Sequence, residues 1–359
     1  MCSRALERRD GLIRWFEKNR RDLPWRVPSK KRNELRDPYR SWVAEVMLQQ
    51  TQVAAVVEKF EAWMEKLPDL RSLAEATDAE VERLWRGLGY YARARNLRKG
   101  AIWILEKHGG KFPRDRAELE RVPGVGPYSA GAILSLAFGM REAIVDGNVF
   151  RICARTEGWD CAVGDPAHVA RAWEIAREFC DCARPDLANE ALMELGALVC
   201  TPKAPKCAEC PLRGSCASAL DGRAQERPRP RAKAPEKSVV RTWLLVRSKG
   251  RILLRLPGRD PDGLLKDHFQ IPSFPGLLSP AEVARKWPGA KVARCGTLKH
   301  SITNHRISGA VFSVGPAARG RAPEGCRWVP EAEADGLLNH ALARKVLRAV
   351  AAHDADAAP

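Results

Sequence analysis

The chain has 359 residues, 45% hydrophobic and 29% charged, which at roughly 150 residues per domain suggests two domains with real hydrophobic cores. That balance excludes a disulfide-stapled miniprotein, a membrane protein and a chain disordered throughout. Lysine and arginine number 61 against 44 aspartates and glutamates, a net charge of +17, which favours a polyanionic partner, nucleic acid ahead of an anionic membrane.

The N-terminal Met1 to Asp10 is charged rather than apolar, so no leader segment is expected there. From about Leu6 to Ala219 apolar residues recur at helical spacing, as in Val53, Val56, Val57 and Phe60, or Leu187, Ala191, Met193, Leu195 and Leu198. The longest uncharged stretch, Val122 to Met140, is punctuated by Pro123, Gly124, Gly126 and Pro127. Only Ala130 to Met140 remains as a continuous apolar helix, too short to span a bilayer. A cytoplasmic protein without membrane contact is therefore expected. The 11 cysteines then fit a ligand set plus free core thiols better than a disulfide framework.

Composition shifts at Asp221 to Ser238, where six basic residues alternate with Pro228, Pro230 and Pro235, the pattern of a solvated linker. Beyond it the apolar period changes toward two. Val239 to Val246 and Ile252 to Leu256 read as strands joined by a turn at Ser248-Lys249-Gly250, and Leu298 to Ile307 with Ala310 to Val314 as a second pair. An amphipathic helix follows from Leu337 to Val350. The expected organisation is a mainly α domain over 1–220, a linker over 221–238, a smaller α+β domain over 239–352 and a tail over 353–359.

Four motifs carry chemistry. Cys200, Cys207, Cys210 and Cys216 place four thiols in a Pro-rich loop, a set that suits either tetrahedral zinc or an iron–sulfur cube. Lys203, Lys206 and Arg213 in that loop would make preorganised phosphate contacts. Leu119 to Leu134 reads as helix, glycine turn, helix, with Gly124 and Gly126 ahead of Pro127; this is either an ordinary αα turn or a phosphate-binding helix N-terminus. Glu45 lies among apolar neighbours in Ser41-Trp42-Val43-Ala44-Glu45-Val46-Met47-Leu48. It is either a salt-bridged glutamate or a desolvated carboxylic acid suited to general-acid work. Asp146 precedes a new helix, as an N-cap whose carboxylate would also remain charged. One neutral and one charged carboxyl is the arrangement that cleaves glycosidic bonds.

Taken together, Leu23-Pro24-Trp25-Arg26, Glu45 to Val53, Gly87 to Leu97, Pro123-Gly124-Val125-Gly126, Asp146-Gly147-Asn148-Val149 and the cysteine loop resemble adenine DNA glycosylases of the helix-hairpin-helix superfamily. The resemblance implies a [4Fe–4S] cluster on the four cysteines, duplex DNA with adenine opposite 8-oxoguanine or guanine as substrate, and a monomer associated with the nucleoid. Carried over, Glu45 protonates adenine N7, Asp146 stabilises the sugar cation, and Asn148 belongs to the same catalytic motif. Tyr128 stands where related endonucleases carry a Schiff-base lysine, which implies base removal without strand nicking. Gln50 and Tyr90 match residues that enter the DNA stack, and Trp25, Arg26 and Leu48 match the pocket wall; core packing is the other reading of Trp25 and Tyr90. Base flipping is required in any case, because the glycosidic carbon is inaccessible inside a duplex. The second domain resembles the Nudix-like module of this family, with Phe274-Pro275-Gly276 at its entry. From Gly276 to Ala290 Glu282 is the sole acid, so no pyrophosphatase activity is expected. The family's Phe-Ser-His motif is Leu298-Lys299-His300 here, leaving His300 and Ser301 as lesion-contact candidates. The rival readings are a thymine glycosylase for G:T mispairs and a non-catalytic iron–sulfur DNA-binding protein.

Overall fold

The computed structural model describes residues 2–28, 31, 34–232, 234–259, 263–266, 268–316, 322–338 and 340–356, and divides the chain into two compact units, Met1–Ala232 and Lys233–Pro359. The helices of the first unit are α1 (Cys2–Asn19), α2 (Pro38–Leu48), α3 (Val53–Lys66), α4 (Leu70–Glu75), α5 (Asp78–Leu84), α6 (Ala92–His108), α7 (Arg116–Glu120), α8 (Pro127–Phe138), α9 (Gly147–Thr156), α10 (Pro166–Cys180), α11 (Pro185–Leu198) and α12 (Ala217–Leu220). Their boundaries follow local chemistry. Asp37 caps α2 by accepting from the Arg40 amide, Asp69 with Ser72 and Thr77 with Glu80 form capping boxes, and Pro occupies the first turn of α2, α8, α10 and α11. No helix of the described residues is long and apolar enough to cross a membrane.

Two apolar clusters fill this unit. One gathers Trp42, Phe60, Trp63, Trp85, Leu97 and Ile104; the other gathers Leu12, Phe16, Phe150, Leu192 and Leu195. Helix α8 packs on both α2 and α11, and α11 also packs on α9, so these four elements meet between the clusters. Trp63 lies edge-on to Trp85 at 5.7 Å. Its indole N–H donates to Tyr39 Oη at 3.0 Å, whose hydroxyl donates to the Leu67 carbonyl at 2.7 Å.

Residues 221–229, expected from composition as a solvated tether, are anchored at Ala224 and Arg227, while Asp221, Gly222, Gln225, Glu226 and Arg229 remain exposed. Arg227 is 6% exposed and pairs with Asp160 and Asp221, its carbonyl accepts from Arg155 Nε at 2.8 Å, and Arg229 bridges to the strand-like Ala162. The basic residues were legible as polar, but not their internal acidic partners. Lys233 lies outside the described residues.

The second unit holds β1 (Lys237–Ser248), β2 (Arg251–Arg255), β3 (Ser273–Pro275), α13 (Pro280–Lys286), β4 (Val292–Ile302), β5 (His305–Val314), β6 (Cys326–Pro330), α14 (Glu331–Leu337) and α15 (Ala341–Asp356). The sheet order is β4-β5-β1-β2-β6, with β1 and β5 parallel and β3 paired to β1. Alternation along β1 sends Trp243 and Leu245 into one apolar layer with Val346 and Val350 of α15, and Leu244 and Val246 into the other with Val283 of α13. The β1–β2 turn falls at Lys249-Gly250 as expected. The β4–β5 turn falls at Thr303-Asn304, inside the segment expected as one strand, with Thr303 at φ 51°. A Cβ on Gly309 would stand 1.6 Å from the Arg241 carbonyl, so glycine serves the close approach of β5 to β1. The single C-terminal helix expected over 337–350 is two helices, and α15 continues through Asp356 where a tail was expected; residues 357–359 lie outside the described residues.

Trp63→Ala should lower the unfolding free energy of the first unit by about 3–5 kcal/mol, because it removes a fully buried ring and leaves the Tyr39 hydroxyl without its donor. Chemical denaturation followed by circular dichroism checks it.

Candidate active site

The apolar run of α2 packs on α8, and this carries Glu45 into the protein: the residue is 3% exposed. Its carboxyl faces a cavity of about 630 Å3 also lined by Trp25, Arg26, Leu48, Gln50, Tyr128, Asp146 and Asn148. Tyr128, on the first turn of α8, donates its hydroxyl to Glu45 Oε2 at 2.7 Å. Burial and the neighbouring Glu45 and Asp146 charges push the Tyr128 phenol well above its usual range, so it keeps its proton and acts as the donor. Burial likewise raises Glu45 above the ordinary carboxylate range, against the Arg36 charge and the Tyr128 hydrogen bond that lower it. Tyr128 occupies Oε2, which leaves Oε1, 3.6 Å from Arg36, as the oxygen open for a proton.

Asp146 is the N-cap of α9. Its Oδ1 accepts from the Asn148 and Val149 amides at 2.9 and 2.8 Å, and Oδ2 accepts from Asn148 Nδ2 at 2.9 Å. Asn148 is held in turn by Arg151, whose Nη2 donates to Asn148 Oδ1 at 2.7 Å while its Nε donates to the Cys200 carbonyl at 2.8 Å. Gly196 on α11 permits this approach, since a Cβ there would lie 2.5 Å from Asn148 Cβ.

An ion network that sequence reading did not identify, apart from Arg26, forms part of the cavity wall through Arg21, Arg26, Arg36 and Glu194. Arg26 Nη2 pairs with Glu194 at 3.0 Å and its Nε with Glu190 at 2.9 Å; Arg21 pairs with Glu194 at 2.7 Å; Arg36 pairs with Glu190 and stands 3.6 Å from Glu45 Oε1. Burial would raise Glu190 and Glu194, but the arginines prevail: Glu190 is lowered and Glu194 pushed down to about 2. The available signal was three acids spaced four residues apart on α11, Asp186, Glu190 and Glu194, of which Asp186 pairs with Arg184 instead.

Trp25 serves both readings, packing edge-on to Phe60 at 5.5 Å while lining the cavity. Tyr90 is not core: it is 57% exposed. Gln50 and Tyr90 both have positive φ, 58° and 46°, a backbone state that non-glycine residues adopt at a cost. Arg93 braces both loops. It donates to the carbonyls of Val46 and Gln49 at 2.7 and 2.6 Å and of Leu88 at 3.0 Å, and its guanidinium lies 5.7 Å from the Tyr90 ring.

Elsewhere in the first unit, Gly124 with φ 83° shapes the turn before α8, where a Cβ would lie 2.7 Å from Asn96 Cβ, and Gly126 is the N-cap of α8. Cys200, Cys207, Cys210 and Cys216 line one common cavity with Arg155 and Arg213. The buried Arg155 fixes the loop by donating to the Thr201 carbonyl at 2.7 Å and the Pro202 carbonyl at 3.0 Å. Among the described residues no group of three or more His, Cys, Asp or Glu is drawn tightly enough to hold a single metal ion.

In the second unit His300 and Ser301 end β4, paired with Ile307 and Arg306. Ser301 Oγ accepts from Arg306 at 2.8 Å, and Lys345 donates to the Lys299 carbonyl at 2.9 Å. Burial and the Lys345 charge lower the His300 pKa. Glu282 is engaged in a capping box with Ser279 at the start of α13.

Residues 43–178 match the family model of HhH-GPD superfamily base excision DNA repair proteins. The chain is 34% identical to the adenine DNA glycosylase of Mus musculus over 95% of its own length and 77% of that protein. It is 46% identical to the Homo sapiens adenine DNA glycosylase over 58% of this chain, spanning 38% of the human protein. Among solved structures, a thermostable thymine-DNA glycosylase is similar with TM-score 0.51 and 26% identity, covering 60% of this chain and 97% of that one. A trapped endonuclease III–DNA covalent intermediate is similar with TM-score 0.51 and 25% identity, over 62% of this chain and 98% of that chain.

Arg93→Met should lower the thermal midpoint, corresponding to about 1–3 kcal/mol for the carbonyls left without donors. Amide exchange should quicken at residues 49–51 and 88–90 while α11 stays protected; unchanged exchange in both loops would show that the brace holds neither.

Proposed function

The chain belongs to the adenine DNA glycosylase family, and from that premise we propose that the cavity around Glu45 excises adenine opposite 8-oxoguanine or guanine in duplex DNA without nicking the strand. The observation that carries the reading is the pair of carboxyl groups in one cavity, Glu45 buried with a raised pKa and Asp146 held by three N–H donors. Glu45 Oε1 gives its proton to adenine N7, and the C1′–N9 bond breaks with its electron pair going to N9. The Asp146 carboxylate stabilises the cationic sugar. Water then adds at C1′ and releases a proton, leaving an abasic site and free adenine. Tyr128 orients Glu45 by occupying Oε2, and no amine stands at its position for Schiff-base chemistry. Asn148 holds Asp146, while Trp25, Arg26 and Leu48 wall the base site.

Gln50 and Tyr90 enter the DNA stack in this reading, which their positive φ and the exposure of Tyr90 support. Gly124 and Gly126 would present amides at the α8 N-terminus to a phosphate. The second unit would contact the opposite base through His300 and Ser301. Ser301 Oγ already accepts from Arg306, so its role there would require exchange of that bond.

The four thiols around one cavity fit a [4Fe–4S] cluster held by Cys200, Cys207, Cys210 and Cys216. When bound, such a cluster supplies a rigid staple for the loop bearing Lys203, Lys206 and Arg213. Cys210→Ser should lose the brown absorbance and the stoichiometric iron and acid-labile sulfide of the purified protein, and with them affinity for undamaged duplex DNA.

Glu45→Gln should keep duplex affinity within a few-fold while adenine excision from A:8-oxoguanine and A:G duplexes falls by about 10²–10⁴. Because the active form is protonated, the single-turnover rate should fall as pH rises through the raised Glu45 pKa. Cleavage confined to thymine in T:G duplexes would transfer the function to a mismatch-thymine glycosylase, and tight binding without any excision would favour a non-catalytic DNA-binding protein.

A further inference from the structure

We propose that the buried Arg36–Glu190 ion pair sets the acid strength of Glu45: Arg36 receives the carboxylate charge that Glu45 acquires on giving up its proton, and Glu190 restrains Arg36 until then. The inference deepens the general-acid reading of Glu45 and rests on it.

Arg36 is 7% exposed and reaches two carboxyls at once. One terminal nitrogen, Nη2, is bonded to Glu190; the other, Nη1, stands 3.6 Å from Glu45 Oε1, beyond hydrogen-bond distance. Nη1 and Nε are buried with no hydrogen-bond partner. A buried donor held just short of an acceptor gains little while that oxygen carries a proton, and gains a charge-assisted bond once the proton has left. Tyr128 already occupies the opposite oxygen, Oε2. The charge count within the network points the same way. Four guanidiniums, Arg20, Arg21, Arg26 and Arg36, face three carboxylates, Asp146, Glu190 and Glu194, and the set balances when Glu45 becomes the fourth anion.

The charged and titratable groups that face Glu45 come from every surrounding element: Arg36 from the segment before α2, Tyr128 from α8, Asp146 from the start of α9 and Glu190 from α11. Arg36 favours its ionised form, whereas Asp146 and Glu190 oppose it. Glu190 thus acts on Glu45 directly and through Arg36, in the same sense. Arg26, 2.9 Å from Glu190, keeps Glu190 charged and in place. Arg36 and Glu190 are in this respect positioning residues that tune the acid, and the preorganised charge receives the product of proton transfer without rearrangement.

The test is the pH profile of single-turnover adenine excision, with enzyme saturating over an A:8-oxoguanine duplex. Arg36→Met should move the falling alkaline limb to higher pH by about one unit, because the carboxylate loses its counter-charge. Its plateau should drop by up to about tenfold, because an acid weaker by one unit loses at most that factor in proton transfer. Glu190→Gln should move the limb in the opposite direction, and Arg36→Met/Glu190→Gln should return it between the two. Arg36→Lys, which retains the charge, should keep the wild-type limb. A purely structural role for the pair would lower the plateau in every variant with the limb unmoved, and that result overturns the inference, as do shifts of the same sign. Should Arg36→Met fail to fold, the double variant, which leaves no unpaired buried charge, and Glu190→Gln decide the matter by the same limb. Glu45→Gln separates the two levels: an inactive Glu45→Gln beside unmoved limbs refutes only the tuning, and an active one refutes the acid reading itself.

Discussion

Three buried glutamates cluster at one cavity, Glu45 and Glu194 in its wall and Glu190 paired to Arg26 and Arg36, and the first unit is organised by the need to compensate them. Glu190 and Glu194 sit four residues apart on α11, a helix packed against α1, α8, α9 and α10, so they cannot reach water. A carboxylate in that position is tolerated only with cations and hydrogen bonds at contact distance, and removing one partner of such a pair costs about 3–5 kcal/mol. Arg21, Arg26 and Arg36 supply the cations, and all three come from the irregular stretch between α1 and α2. Ion pairing therefore determines the path of that stretch across α11. Its path in turn carries Leu23 and Trp25 to the cavity wall and Arg36 to the edge of Glu45.

Arginine does similar internal work at three other places. Arg93 gathers the carbonyls at the end of α2 and in the Leu88–Gly89 turn, which holds Gln50 and Tyr90 in backbone states they would not adopt alone. Arg151 links Asn148 to the Cys200 carbonyl, so the segment that orients Asp146 is continuous with the cysteine loop. Arg155 binds that loop to residue 227. The fork of donors on a guanidinium suits these tasks, because a single side chain can satisfy several carbonyls in fixed directions.

Much of the site was legible because it is local. The apolar neighbours of Glu45 implied burial, and burial alone raises a carboxyl pKa. Asp146 ahead of Gly147-Asn148-Val149 read as an N-cap, and the hydrogen bonds are those of a cap. Turn chemistry located Gly124 and the Lys249-Gly250 turn. The β4–β5 turn was not legible, because the run from Leu298 to Ile307 alternates across Thr303-Asn304 and the demand for Gly309 comes from Arg241, remote in sequence. The linker misled similarly, since Arg227 looks solvated until Asp160 and Asp221 are seen beside it.

Features that depend on neighbours within a turn or two can be read along the chain: the helical first unit, the strand alternation of the second, the helix caps, the cysteine spacing and the apolar surroundings of Glu45. Which charges meet depends on how the chain packs. Arg36 and Glu190 are 154 residues apart in the chain and Arg21 and Glu194 are 173 apart, and periodicity holds no information about such pairs. The apolar neighbours of Glu190 imply burial as those of Glu45 do, but nothing local to either Glu190 or Arg36 names its partner. Once packing excludes water from both, Coulomb attraction in a poorly screened interior fixes their partners, and through them the environment in which Glu45 holds its proton.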